Sequence, residues 1–237
     1  SEKDNRDKMI KYISSCKDNS LMVLPPDINE SETDFSVVGD HIRFGLSAVK
    51  NVGVGVVETI IEEREKNGRF LNFYDFCYRV DMKKINKRVI ESLIKSGSFD
   101  STGHNRRQLM ENFEYTIEIS QRQRKEKNSA QSSLFEQFDE QLDSSDASKN
   151  NMFIPDIQEW NQKELLAYEK EMIGFYITSH PLSEYIDRLK LVSNVDSSSI
   201  WHRNDKDAVV FGGIVNNIKE LKTKKNDTMA YVTMEDL

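Results

Sequence analysis

The chain has 237 residues, of which 37% are hydrophobic and 31% charged, and its 33 Lys and Arg against 40 Asp and Glu give a formal net charge of −7. This composition predicts one or two buried cores and a further part that stays solvated. No apolar run approaches the ~18 residues that span a bilayer, and the N-terminus has no secretory pattern. The two distant cysteines and four scattered histidines argue against a disulfide framework or a zinc module, so we expect a cytoplasmic protein without membrane contacts.

Hydrophobic periodicity predicts a mainly helical chain. Two consecutive prolines rule out helix in residues 21–29 and favour an extended crossing, and two short strands are expected in 35–50. From 124 to 157 the periodicity gives way to Ser, Asp, Asn and Gln, which is typical of a linker, and 208–237 alternates like strands around a polar loop. The predicted helices cover residues 6–16, 56–66, 87–95, 105–123 and 159–173.

The basic residues are concentrated in one part of the chain. Residues 41–110 contain 13 Lys and Arg against 8 Asp and Glu, although the chain as a whole is acidic. A basic block inside a negative molecule is typical of a nucleic-acid contact. An ordinary solvated face is the alternative that charge alone leaves open.

A glycine-containing hairpin leads directly into the helix predicted at 56–66. Gly53 and Gly55 would permit positive φ and a close approach of the backbone to a ligand. The amides at the helix start and the positive end of the helix dipole favour an anion there, and Lys50 adds positive charge. A tight interhelical turn is the alternative, while a dinucleotide site is disfavoured because no third glycine follows.

A second, looser unit follows downstream. Lys87 and Arg88 open one predicted helix, and Arg106 and Arg107 open the next, after a turn that contains Gly103. A cation at a helix N-terminus opposes the helix dipole by roughly 0.3–1 kcal/mol, so these positions are unfavourable unless an anion joins them. The pattern predicts two hairpins that bind phosphates of one duplex, and such contacts position a protein without reading sequence.

Five stretches of the sequence carry a family resemblance. His-Ile-Arg-Phe-Gly-Leu-Ser-Ala-Val-Lys-Asn-Val-Gly at 41–53 resembles the helix-hairpin-helix region of the alpha subunit of bacterial DNA polymerase III, a C-family replicative polymerase. The other stretches resemble the same subunit in the same order, at 23–29, at 91–100 with 105–106, at 169–182 and at 211–236. The resemblance implies that the chain is part of a much longer polymerase.

The resemblance implies a fold class and a domain order. The fold would be mainly α, with a tandem helix-hairpin-helix domain followed by a linker, a further helix and a truncated antiparallel β segment that forms a partial OB fold. The expected domains are the end of a fingers domain at 1–40, a tandem helix-hairpin-helix DNA-binding domain at 41–123, a flexible linker at 124–158, a helical connector at 159–207 and the start of an OB fold at 208–237.

The resemblance also implies partners. These are double-stranded DNA, bound through its phosphates independently of sequence, a sliding clamp, and the remaining subunits of a replicative holoenzyme. The predicted DNA-binding residues are Lys50, Asn51, Gly53, Gly55, Lys83, Lys84, Lys87, Arg88, His104, Asn105, Arg106 and Arg107.

An apolar pair stands out within the polar linker and belongs to a segment that resembles the pentapeptide with which bacterial polymerases bind the sliding clamp. An amide would orient the peptide, two apolar anchors would fill pockets, and flexible flanks would let it reach the ring. The alternative is one turn of a transient helix that Phe138 and Leu142 continue. The predicted clamp-binding residues are Gln131, Ser132, Ser133, Leu134 and Phe135.

Two-metal nucleotidyl transfer needs converging carboxylates, and the sequence pattern does not indicate such a group. We interpret Asp205/Asp207 and Glu235/Asp236 as solvated turn residues, and Asp27 stands alone in its stretch. The resemblance implies that the catalytic aspartates lie in a palm domain upstream. We therefore predict no catalytic residue, metal site or cofactor in this segment, while the parent polymerase would use Mg²⁺.

Two other functions stay open. A helix-hairpin-helix DNA glycosylase also has a Gly-x-Gly hairpin before a helix and a catalytic Asp further along the chain, and Asp75 lies at a comparable distance. However, the surroundings of Asp75 lack that family's pattern, and no helical barrel precedes the hairpin. The third possibility is a scaffold whose hairpins bind only protein.

Overall fold

The structure, a computed structural model, describes residues 12–13, 15–16, 19, 21–130, 154–224 and 226–236, and it divides into compact units at residues 1–178 and 179–237. The predicted fold class, mainly helical with a small antiparallel β segment, is confirmed. None of the helices in the described ranges is long and apolar enough to cross a membrane. The first unit contains strands β1 (Met22–Leu24), β2 (Ser36–Val38) and β3 (His41–Arg43) and helices α1 (Val54–Asn67), α2 (Phe73–Arg79), α3 (Lys87–Lys95), α4 (Arg106–Ala130) and α5 (Gln162–Ile173). The second unit contains α6 (Ile186–Val192), β4 (Ile214–Lys222) and β5 (Thr228–Glu235).

A three-stranded sheet forms the N-terminal part of the first unit. Strand β3 lies between β1, with which it pairs in parallel, and β2, with which it forms an antiparallel hairpin. The predicted extended crossing follows β1, because consecutive prolines lack the amide hydrogens that a helix needs. Of the helix predicted at 6–16, residues 12–13 and 15–16 are helical, and the rest lies outside the described residues.

The predicted bounds of α3 agree with the structure, and those of α1 agree less well. Helix α3 has the predicted bounds, because Asn86 Oδ1 accepts a hydrogen bond from Val89 N at 2.9 Å and caps the first turn. Helix α1 begins at Val54, ahead of the predicted start at Val56. It ends at Asn67, one residue beyond the predicted helix, and the predicted stop residue Gly68 forms the C-cap with a φ of 80°.

Helix α2 is not predicted by periodicity. Its sequence, Phe-Tyr-Asp-Phe-Cys-Tyr-Arg, is apolar on most sides, so no single apolar stripe stands out. Asn72 Oδ1 caps the helix by accepting a hydrogen bond from Asp75 N at 2.8 Å. The rings of Phe73 and Phe76 each pack edge-on against Phe99, with centroids 5.0 Å apart, which makes α2 part of the main hydrophobic core.

Helix α4 is longer than predicted. It continues from the expected end at Gln123 to Ala130, so residues 124–130 of the predicted linker are helical. The side chain of Arg124 donates to Val80 O at 3.1 Å and so satisfies a carbonyl at the C-terminal end of α2. This tertiary contact stabilises a stretch whose polar sequence alone favours a linker.

The predicted linker at 124–158 is described only at its two ends. Residues 131–153, which include the predicted clamp peptide, lie outside the described residues. At the far end, Gln108 Nε2 donates to Pro155 O at 3.1 Å, and Ile154 packs against the hydrophobic core. Residues 154–158 are therefore attached to the first turn of α4, while the predicted domain boundaries stay predictions.

Helix α5 begins after the predicted start at Glu159. A capping box sets this boundary, because Asn161 Oδ1 accepts from Glu164 N at 3.0 Å and Glu164 Oε2 accepts from Asn161 N at 3.2 Å. The C-terminal residues Met172 and Ile173 are buried in the same core as α1 to α4. Helix α5 is thus an integral part of the first unit.

The second unit contains a two-stranded sheet. Strands β4 and β5 pair antiparallel from Ile214 with Glu235 to Lys222 with Thr228, on either side of the polar loop that the sequence predicts. A register shift interrupts the ladder near Asn217. The interpretation of this sheet as the start of an OB fold stays a prediction.

Candidate nucleic-acid interface

The first predicted hairpin is a well-anchored turn. Val49 and Val52 are buried beneath it, and Lys50 N donates to Met172 O at 2.9 Å. Asn51 Nδ2 donates to Ser92 Oγ at 3.0 Å, which ties the turn to α3. These contacts hold the backbone of the turn in place without using the Lys50 ammonium, whose residue is exposed.

The glycines of this hairpin do not have the backbone conformation that the sequence suggests. Gly53 has a φ of −84° and Gly55 lies within α1, whereas the residue with positive φ is Asn51, at 68°. The positive φ that the glycines would permit occurs instead at asparagine, which tolerates the left-handed region and makes the turn. A Cβ atom added at either glycine would meet no atom within 4 Å.

Neither glycine is needed for internal packing. The absence of their side chains instead leaves the backbone accessible at the outer surface. Gly53, Val54 and Gly55 are all exposed, and Gly53 at the N-cap position offers no side-chain acceptor to the first turn of α1. No acidic residue lies in that turn. The start of α1 therefore presents bare backbone and the positive end of the helix dipole to solvent, next to Lys50.

Arg88 lies on the side of α3 that carries the hairpin contact. Ser92, to which Asn51 donates, is one helical turn beyond Arg88, and Ser92 Oγ in turn donates to Arg88 O at 2.8 Å. Arg88 is exposed. The structure thus places Lys50, Asn51, Gly53 and Gly55 at one turn and ties that turn to α3, the helix that carries Arg88.

The other basic residues near α3 are also exposed. Lys83 and Lys84 lie in the turn before the helix, where their backbone amides donate to Asp81. Lys87 forms an ion pair of 2.7 Å with Glu114, in which both side chains are about 60% exposed. An exposed pair of this kind contributes little stability, so it leaves Lys87 available to an external anion.

Arg106, which the sequence predicts as a DNA contact, is instead a buried structural residue. Its Nε donates to Asp100 Oδ1 at 3.0 Å and its Nη2 donates to Asp100 Oδ2 at 2.7 Å. Its Nη1 donates to Lys95 O at 3.3 Å, and only 8% of the side chain is exposed. The guanidinium also fills the space next to Gly97, where a Cβ atom would clash with it. The prediction for Arg106 is corrected accordingly.

The electrostatics of Arg106 fit this internal role. Burial by itself lowers the pKa of the guanidinium, but the hydrogen bond and charge of Asp100, with further contributions from Glu169 and Glu159, raise the pKa above its ordinary value. The charge is therefore neutralised within the protein.

Cations at the start of α4 are expected to be accompanied by an anion, and in the structure this anion is the carboxylate of Glu159. Glu159 Oε2 accepts from Arg106 N at 2.8 Å, and Glu159 Oε1 accepts from Arg107 N at 3.1 Å. The Arg107 side chain is paired with Glu111 at 2.8 Å and stays partly exposed. An anion does accompany the cations at this helix start, as expected, but at these two amides it is Glu159 and not a DNA phosphate.

Of the two remaining predicted residues of the second hairpin, Asn105 makes internal hydrogen bonds and His104 lines a pocket. Asn105 caps α4 by accepting from Gln108 N at 2.8 Å, and Asn105 Nδ2 donates to Ile157 O at 2.7 Å. His104 is half-buried, which lowers its pKa, and its Nδ1 atom has no hydrogen-bond partner among the described residues. His104 lines a pocket of about 400 Å³ with Asp100 and Glu159.

Two features of the site are not among the predictions from the sequence: the left-handed turn at Asn51 and the Glu159 carboxylate at the start of α4. The left-handed turn at Asn51 has a recognisable signal, since asparagine is enriched several-fold among the non-glycine residues in that region. Glu159 gives no local signal, because it lies 52 and 53 residues from the amides that it binds.

The candidate catalytic carboxylates are local structural groups. Asp75 forms an ion pair of 3.0 Å with Arg79 and accepts from Leu71 N at 3.0 Å. Asp207 accepts from Asn204 N at 2.9 Å within a turn. In the described ranges, no group of three or more His, Cys, Asp or Glu is arranged to hold a metal ion. Asp75 thus makes internal contacts on both sides of its position in the chain, and the glycosylase hypothesis stays a prediction.

Comparison with known proteins identifies relatives of the whole chain. A helix-hairpin-helix family model matches residues 20–109. The chain is 40% identical over 236 residues to DNA polymerase III subunit alpha of Borreliella burgdorferi and 38% identical over 239 residues to that of Saccharopolyspora erythraea. It is 34% identical over 237 residues to the subunit of Pasteurella multocida. These matches cover 99–100% of this chain and 20% of each relative, so the chain spans about a fifth of their length.

Proposed function

Because this chain belongs, as a segment, to the family of bacterial DNA polymerase III alpha subunits, we propose that it binds duplex DNA during replication while synthesis is carried out elsewhere in the polymerase. The proposal includes a cytoplasmic location and a parent enzyme that uses Mg²⁺ held by residues outside this segment. The remaining subunits of the replicative holoenzyme would be its further partners.

One observation carries the proposal. The start of α1 is exposed, has no side-chain cap and no acidic residue in its first turn, and lies beside the exposed Lys50. Gly53 and Gly55 have open space where a side chain would project. A phosphate could therefore come within hydrogen-bonding distance of the backbone amides at the positive end of the helix dipole.

The chemistry of this site suits a DNA backbone better than a base edge. Backbone amides, Lys50 and Arg88 are all donors, and phosphate oxygens are acceptors only. Contacts of this kind fix a duplex relative to the protein without reading its sequence. The exposed Lys83, Lys84 and Lys87 would extend the same positive surface along the turn before α3.

The test compares two charge reversals at opposite ends of one helix. We expect Lys50→Glu to weaken duplex binding and to make the slope of log K against log salt less negative by about 0.9 for each phosphate that the variant no longer neutralises. Lys66→Glu introduces the same charge change at the C-terminal end of α1, where Lys66 is exposed. Fluorescence anisotropy of a labelled duplex measures both variants.

Equal weakening by the two reversals would mean that only net charge matters, and the site at the hairpin would be rejected. Unchanged binding in Lys50→Glu would reject it as well. A chain that binds no duplex would favour the protein-scaffold hypothesis.

We further propose that Gln131 to Phe135 tether the chain to a sliding clamp. The support is the sequence itself, in which an amide precedes the apolar pair Leu134 and Phe135 within a polar stretch. We expect the double substitution Leu134→Ala, Phe135→Ala to abolish binding to a bacterial sliding clamp in surface plasmon resonance. Phe138→Ala is the matched control, and clamp binding that survives the double substitution would refute the tether.

A further inference from the structure

The first hairpin precedes α1, and the second hairpin, the turn that contains Gly103, precedes α4. The two differ in what covers the start of the helix that follows. At α1 the first turn is open, whereas at α4 residues 154–159, here called the strap, cover it. Asn105 Nδ2 donates to a strap carbonyl at 2.7 Å. The carboxylate of Glu159 then accepts from the backbone amides of Arg106 and Arg107, at 2.8 and 3.1 Å.

The Glu159 carboxylate makes the contacts that a phosphate would make. Both groups are anions that accept charge-assisted hydrogen bonds from backbone amides at the positive end of a helix dipole. Two oxygens of one carboxylate bind two successive amides, so neither amide of this pair is left for an external anion.

The strap is held on its far side as well. Trp160 N donates to Glu159 Oε1 at 2.7 Å, and the Trp160 ring packs on Tyr168 of α5 with centroids 4.6 Å apart. Lys95 Nζ also lies over the Tyr168 ring, 5.1 Å from its centroid. Trp160, the residue that follows the strap, is therefore packed on α5, while Glu159 next to it binds the start of α4.

From this arrangement, and resting on the proposed function, we propose that Glu159 is an internal substitute for phosphate that keeps the DNA backbone off the second hairpin. The chain then binds duplex through the first hairpin alone, and the second hairpin becomes a DNA contact only when the strap is displaced. Arg107, whose side chain is partly exposed, is the cation that would accompany a phosphate there.

The first experiment removes the charge of the carboxylate. We expect Glu159→Gln to bind a labelled duplex several-fold more tightly than the unmodified chain, with a salt slope steeper by about 0.9 for one additional neutralised phosphate. Glu118→Gln makes the same charge change at an exposed position further along α4, and its salt slope should equal that of the unmodified chain. Glu159→Asp keeps the charge but shortens the side chain, so tighter binding in this variant comes from freed amides rather than from the removal of charge.

The second experiment needs no DNA. We expect inorganic phosphate to shift the backbone amide resonances of Arg106 and Arg107 in Glu159→Gln and to leave them unchanged in the unmodified chain. Unshifted amides in the variant, or an unchanged salt slope of duplex binding, would overturn the role of Glu159 even if the unmodified chain binds duplex. Failure of the unmodified chain to bind duplex would reject the proposed function, and the phosphate titration would still decide whether Glu159 occupies an anion site.

Discussion

Replacing Arg106 with alanine should lower the free energy of unfolding of the first unit by about 3 kcal/mol, because it leaves Asp100 without its partner and opens a void beside Gly97. Removal of one member of a buried ion pair costs about 3–5 kcal/mol, and the lower end applies because Asp100 is half-exposed. Urea denaturation followed by tryptophan fluorescence measures the effect. Trp160 lies in the first unit, and Trp201 is already 85% exposed, so the signal reports mainly on the first unit.

The neighbouring arginine provides the control. Arg107 forms an exposed i,i+4 pair with Glu111, so Arg107→Ala should lower the free energy of unfolding far less than Arg106→Ala does. Similar decreases in stability in the two variants would contradict the structural role of Arg106. A substitution at Arg106 therefore measures folding and is unsuitable as a test of DNA contact.

Replacing Glu169 with alanine should cost a similar amount, about 3 kcal/mol. Glu169 is 1% exposed, and its carboxylate accepts hydrogen bonds from Ile177 N and from both Thr178 N, at 3.0 Å, and Thr178 Oγ1, at 2.7 Å. Each buried donor left without an acceptor costs about 1–3 kcal/mol, and water that reaches the segment offsets part of the sum. The same urea denaturation measures the decrease.

Limited proteolysis shows which part of the chain is loosened when Glu169 is replaced. The residues that it binds are the last of the first unit, so limited proteolysis near residue 178 should be faster in Glu169→Ala. Glu171→Ala, at an exposed position of the same helix, should change the stability by less than about 0.5 kcal/mol. A Glu169 variant that is as stable and as protease-resistant as the Glu171 variant would contradict this account.

Helix bounds were predictable wherever the signals were local. The bounds of α3 follow from a capping asparagine, an apolar stripe and a glycine stop, all within a dozen residues. Helix α2 was missed because it has only seven residues and apolar side chains lie on most of its sides, so no separate apolar stripe defines a period. The extension of α4 to Ala130 was missed because a contact between Arg124 and Val80, distant in sequence, supports it.

In the candidate site, too, features that depend on neighbouring residues were predictable from the sequence, and features that depend on distant residues were not. The first hairpin could be found from the sequence, because two glycines, a lysine and a following helix are adjacent in the chain. The occupation of the amides at the start of α4 could not be predicted from the sequence. It depends on Glu159, which lies beyond the predicted linker. The burial of Arg106 depends on how the turns at Gly97 and Gly103, both with positive φ, direct Asp100 towards it.

Duplex binding by the unmodified chain as a function of salt tests the central claim most directly. Lys50 is exposed beside the open start of α1, and Arg88 is exposed on α3, to which the Asn51 side chain ties the turn. We therefore expect at least two phosphates to be neutralised and log K to fall with log salt with a slope of about −1.8 or steeper. Fluorescence anisotropy of a labelled duplex at several salt concentrations gives this slope. A slope near zero, or no binding at the lowest salt concentration, would contradict the claim that the first hairpin binds the DNA backbone.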